Sequence, residues 1–195
     1  MKKLITIILL LFISFSYGQK RELRNANKFY DSGEFSSALD LLESSKVLFD
    51  SSDDKVKSQQ MLLYGKIHTS MQDFSLAMEA FNISKDLGIS SDQLGPELMR
   101  LENLIITNAI ADQESGNSLD AAIKLKMAYD LNPEVNQDYL YFAAGNAVNS
   151  INYSLALEYY LLLRDMNYDG VTTKFYLTEV ESGNEIEISS EDEFN

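Results

Sequence analysis

The amino-acid sequence predicts an all-α fold, a right-handed superhelix of about four helix hairpins followed by a short C-terminal β-hairpin. Three observations carry that expectation. Apolar residues recur at helical spacing from Lys20 to Asp165. Four similar openings follow one another along the chain: Phe35-Ser36-Ser37-Ala38, Phe74-Ser75-Leu76-Ala77, Ser118-Leu119-Asp120-Ala121 and Tyr153-Ser154-Leu155-Ala156. Their alanines lie 39, 44 and 35 residues apart, the period of a helix pair with variable loops. Such a pair is amphipathic and cannot bury its apolar stripe alone, so neighbours must stack.

Ahead of the repeats, residues 1–18 read as a secretory signal peptide. Lys2 and Lys3 form a short basic region, Leu4 to Phe15 is an almost unbroken apolar run, and small Ser16 and Gly18 suit a peptidase that cuts before Gln19. The run is shorter than the roughly 20 residues that a membrane-spanning helix needs. No membrane span is therefore expected after cleavage, and the location expected is the periplasm or the cell surface. The chain has no Cys, which excludes lipid attachment at a cysteine, disulfides and thiolate metal sites. The folded part must hold together by packing.

The repeat region, residues 19–165, divides into eight predicted helices. The first runs from Arg21 to Asp31, with Leu23, Ala26, Phe29 and Tyr30 inward and Gly33 at the turn. The second spans Phe35 to Phe49. The polar break from Asp50 to Asp54 supplies short acceptors and negative charge to cap the third, which carries Val56, Met61, Leu62, Tyr64, Ile67 and His68. A fourth runs from Phe74 to Leu87 and ends at Gly88. The fifth starts near Pro96, whose missing N–H suits a first helical position, and ends at Gly116. Ser118 caps the sixth, which Asn132-Pro133 stops. The seventh covers Val135 to Val148 and the eighth Tyr153 to Arg164.

Residues 166–195 have a different character. Asn167-Tyr168-Asp169-Gly170 is a turn signal, Val171 to Val180 is rich in β-branched and aromatic residues, and Ser182-Gly183-Asn184 is a second turn before Glu185 to Ile188 alternates acidic with apolar. This reads as a β-hairpin with an acidic tail, whose exposed strand edge can pair with a partner or with a second copy.

The pattern resembles the tetratricopeptide repeat family. Ala26, Phe29, Gly33, Phe35, Ala38 and Leu42 match its motif in the first unit, and Gly65, Phe74, Ala77 and Phe81 in the second, where His68 and Gln72 replace an aromatic and the turn Gly. Ala109, Gly116, Ala121, Leu125, Ala128 and Pro133 match in the third unit. Ala144, Tyr153, Ala156 and Tyr160 match in the fourth, where Ile151 replaces the turn Gly. The C-terminal segment is similar to one in exported tetratricopeptide proteins of Bacteroidetes-like bacteria. The resemblance implies a non-catalytic scaffold whose concave face, lined by the first helices, binds a partner protein or peptide.

Composition narrows the function further. With 30 acidic and 16 basic side chains the net charge is −14, so nucleic acid is not an expected partner. His68 is the only histidine, which rules out multi-histidine metal sites and paired-imidazole mechanisms. Neither Glu97 with Glu102 nor Glu114 with Asp120 forms a distinctive carboxylate pair. Asp50, Asp53, Asp54 and Asp73 lack the alternation of a calcium loop. Gly33, Gly65, Gly88 and Gly116 do not form a phosphate cradle and are better explained by turns and a close helix crossing. No catalytic, cofactor or metal site is expected.

The binding candidates are polar and aromatic positions on the first helices that the core does not require: Asn27, Tyr30, Tyr64, Asn103, Asn108, Tyr141 and Asn149. The leading expectation is an adaptor for another envelope or secreted protein. The alternative is a glycan-binding accessory protein of an envelope nutrient-uptake system. Eleven Tyr and ten Phe permit sugar stacking, although the absence of Trp weighs against it.

Overall fold

The computed structural model describes residues 18–170, 175–178 and 185–188. The expected signal peptide and most of the C-terminal tail lie outside the described residues. Among the described residues nine helices follow one another: α1 (18–31), α2 (Phe35–Ser44), α3 (Lys46–Asp50), α4 (Asp54–Met71), α5 (Phe74–Asp86), α6 (Ser91–Glu114), α7 (Ser118–Leu131), α8 (Gln137–Asn149) and α9 (Tyr153–Asp165). Two four-residue strands, β1 (Phe175–Thr178) and β2 (Glu185–Ile188), pair antiparallel with Phe175 opposite Ile188. Among the described residues there is no other strand.

The core is serial rather than central. Ala26, Leu42, Phe49, Leu63 and Ile67 join α1 to α4 in one apolar cluster. Leu62, Phe74, Phe81, Leu101 and Ile105 join α4, α5 and α6 in the next. Ala109, Leu125, Leu140, Tyr159 and Leu163 carry the packing from α6 to α9. Each helix pair thus buries its stripe against its neighbours in the row. The repeated alanines sit where that stacking is tightest: Ala38, Ala77 and Ala121 are 0% exposed and Ala156 is 3%.

Six helix ends among the described residues share one geometry, those of α5 at Gly88 and α9 at Asn167 together with all four first helices. The first helices α1, α4, α6 and α8 each end in a left-handed residue, Gly33 (φ 78°), Gln72 (63°), Gly116 (79°) and Ile151 (63°). In each, the next amide bonds back to a carbonyl five residues earlier: Glu34 to Phe29, Asp73 to His68, Asn117 to Asp112 and Asn152 to Ala147, at 2.8–3.0 Å. This closure satisfies carbonyls the helix end would orphan, and the repeat holds it even where Gly is replaced. A β-branched side chain at positive φ is strained, and Ile151 is 72% exposed, so packing does not compensate. Replacing Ile151 by Gly is expected to stabilise the protein by about 1 kcal/mol, raising Tm by about 3 °C. An unchanged or lowered melt would show that the strain is absent.

Four expected boundaries are corrected. The predicted second helix breaks at Ser45 (φ −96°, ψ 7°), giving α2 and α3, because adjacent serines compete for carbonyls and Ser44 Oγ donates to Leu41 O at 3.0 Å. The predicted fifth helix begins at Ser91, not near Pro96. Leu94 is 5% exposed and anchors the extra turn in the core, while Gly95, lacking a Cβ, relieves the clash a proline imposes on its predecessor. Ser118 is the first residue of α7 rather than its cap, which is Asn117, and α8 starts two residues later than expected. Asn136 precedes α8, buried, with Nδ2 donating to Ala128 O (2.9 Å) and Glu102 Oε1 (3.0 Å). The expected acidic cap of α4 holds: Asp53 Oδ1 accepts from Val56 N at 2.8 Å.

Candidate binding surfaces on the first helices

Side chains from three first helices meet in one polar lattice. Tyr30 near the end of α1, Lys66 and Ser70 on α4, and Glu97 and Arg100 on α6 come together although up to 70 residues separate them. Arg100 donates from Nη1 to Tyr30 Oη at 2.9 Å and from Nη2 to Ser70 Oγ at 3.0 Å. Glu97 stands 3.7 Å from Lys66 Nζ and 4.0 Å from Arg100 Nη1, and the Lys66 ammonium lies 4.7 Å from the Tyr30 ring centroid. Further along, Asn146 of α8 donates to Phe142 O (2.9 Å) and, at 3.4 Å, to Gln113 of α6. Its Oδ1 is buried and, among the described residues, has no hydrogen-bond partner. Polar contacts thereby tie α1 to α4 and α6, and α6 to α8.

The seven residues expected to bind a partner divide among different settings. Tyr30 belongs to the lattice. Asn103 is exposed one turn beyond Arg100, in a hollow of about 510 Å³ with Pro96, Met99 and Thr107. Asn27 and Asn108 are half-buried and each donates to its own helix, to Leu23 O and Leu104 O at 2.9 Å. Asn149 is exposed at the end of α8. Tyr64 departs from the expectation of a free surface side chain. It is buried against α2, its hydroxyl donates to Glu43 Oε1 at 2.9 Å, and burial followed by that carboxylate pushes its pKa above the usual phenol value. Tyr141 lies at the far end of the array.

Two further hollows involve these tyrosines. One, of about 260 Å³, is lined by Glu43, Lys46, Gln60, Tyr64, His68 and Glu79 beside the α2–α3 break. There the His68 ring stacks on Tyr64 at 6.3 Å between centroids, and Nδ1 lies 3.5 Å from Asp73 Oδ2. The other, of about 690 Å³, is lined by Tyr141, Phe142, Tyr160, Leu163, Arg164 and Tyr168 among others. Tyr168 donates to Asp138, which together with burial raises its pKa to about 12, so this phenol remains a neutral donor at any physiological pH.

Lys66, Ser70, Glu97, Arg100 and Asn146 were not singled out by sequence. Cations and carboxylates three or four residues apart look like any solvated helix face, and only the packing of one helix pair on the next shows which of them meet. Among the described residues no group of His, Asp and Glu side chains is gathered as a metal ion would require, and no helix is long and apolar enough to cross a membrane.

No protein-family model matches this chain, and no curated protein is significantly similar to it.

Proposed function

We propose that the protein is an exported, non-catalytic adaptor of tetratricopeptide type that holds an extended segment of a partner protein in the concave groove of a right-handed superhelix. The observation that carries this reading is the polar lattice of Tyr30, Lys66, Ser70, Glu97 and Arg100. It offers donors and acceptors of both signs on the side shared by the first helices, and Arg100 is exposed enough to exchange a partner's carboxylate or carbonyl for Tyr30 and Ser70. The adjoining hollow at Met99, Asn103 and Thr107 gives an apolar and amide-bearing seat for the neighbouring residues of the same segment. Export rests on the leader-like pattern of residues 1–18 in the sequence. Gln19, the expected first mature residue, is already part of the fold, 6% exposed with Nε2 donating to Leu48 O at 3.0 Å. The β1–β2 hairpin adds a strand edge for docking.

The test is capture of partners from envelope extracts, with peptide and glycan arrays probed in parallel. Replacing Arg100 by Ala is expected to weaken partner or peptide binding at least about tenfold, the cost of a hot-spot arginine, while the thermal melt changes little. Glycan binding that survives in the variant, with no protein or peptide ligand, would replace the adaptor reading with the accessory role in nutrient uptake.

A further inference from the structure

The repeat leaves one stacking face open. On the earlier second helices, the residue four beyond the crossing alanine is covered by the next helix pair: Leu42 is 0% exposed, Phe81 1% and Leu125 6%. The corresponding residue on α9 is Tyr160, at 40%, and in line with it stand Tyr153 at 64% and Leu157 at 59%. With Arg164 these residues form a single stripe along α9, at the helical steps of four, three and four. Beside them the hollow of about 690 Å³ exposes Tyr141 and Phe142 of α8, with Asp138 and Asp169 also on its lining.

We propose that this face is the interface of a symmetric dimer in which α9 packs antiparallel against α9 of a second copy. The stripe reads the same in both directions. With a two-fold axis between Leu157 and Tyr160, Leu157 meets Tyr160 of the second copy and Tyr153 meets the guanidinium of its Arg164, a cation–π pair. Arg164 is 69% exposed on its side chain and bonds only its neighbour Asp165 in the hydrogen bonds and ion pairs described for it, which leaves the flat face of the guanidinium open. Glu158 lies about 130° round the helix from the stripe, so its carboxylate stays out of the α9–α9 contact. A head-to-tail filament lacks the complement: among the large apolar side chains described on α1, only Phe29 is exposed, at 36%. An isologous contact closes and uses the stripe twice.

Sedimentation velocity of the purified protein over roughly 1 to 100 μM is expected to show a concentration-dependent dimer. Replacing Leu157 and Tyr160 together by Asp should raise its dissociation constant at least about tenfold, with the melt unchanged because both positions are exposed. The native chain has no Cys, so the register can be read directly. A mixture of Leu157→Cys and Tyr160→Cys chains should cross-link more readily than either alone. Arg100→Ala should dimerise like the native chain, which separates this inference from the groove. A monomer throughout the range would overturn the proposal, as would a dimer that persists in the Asp variant and yields no preferred cross-link.

Discussion

Replacing Gly65 by Ala is expected to destabilise the protein by about 3 kcal/mol, against the direction of helix propensity. Gly65 lies in the interior of α4, where Ala would ordinarily gain about 1 kcal/mol. Here a Cβ would stand 2.2 Å from Cε1, 2.3 Å from Cδ1 and 2.8 Å from Cζ of Phe81. The ring is 1% exposed, held in α5 among Leu62, Phe74 and Ala77, and being planar and fully enclosed it has no free rotamer to retreat into. The helices must therefore separate, which also stretches the buried bond from Ser84 Oγ to Ser58 O, 2.7 Å long, that clips α5 to α4. Chemical denaturation checks the loss, and a cycle with Phe81→Leu checks its cause. The double variant should recover part of the stability lost to Gly65→Ala, because the smaller side chain vacates the space that the new methyl requires. Equal losses in both backgrounds would show that the crossing is not what Gly65 serves.

That Gly and its alanine counterparts were legible in the sequence because close crossings select for small residues at a fixed period. The paired helices were legible for the same reason, and so was Asp53, since capping is local chemistry. What escaped was set by tertiary packing. Leu94 pulls a turn of α6 into the core ahead of Pro96, and Gln72 and Ile151 keep the left-handed conformation because the closure between the two helices each of them joins requires it. The surface divided along the same line. Tyr30 was named as a candidate, but its partner Arg100 is 70 residues away, and no local pattern indicates which exposed cation will reach it. Tyr64 was misjudged because an aromatic at three-or-four spacing has the same signature whether it faces a groove or, as here, a carboxylate on the preceding helix pair.

A substitution at Leu140 separates serial packing from a single shared core. Leu140 is 0% exposed on α8 and packs with Ala109, Leu125, Tyr159 and Leu163 of the last apolar cluster. Truncation to Ala is expected to cost about 3 kcal/mol through lost burial and the cavity left behind. The distribution of that loss is the more informative quantity. No residue of this cluster belongs to the one that joins α1 to α4, and stability in a stacked array is approximately a sum of unit and nearest-neighbour terms. Native-state hydrogen exchange of Leu140→Ala should therefore accelerate in α7, α8 and α9 while the amides of α1, α2 and α4 keep nearly their native protection. If protection falls by the same amount from α1 to α9, the helix pairs unfold as one cooperative body, and the two proposed sites, the groove on the early first helices and the stacking face on α9, would have to be treated as coupled rather than independent.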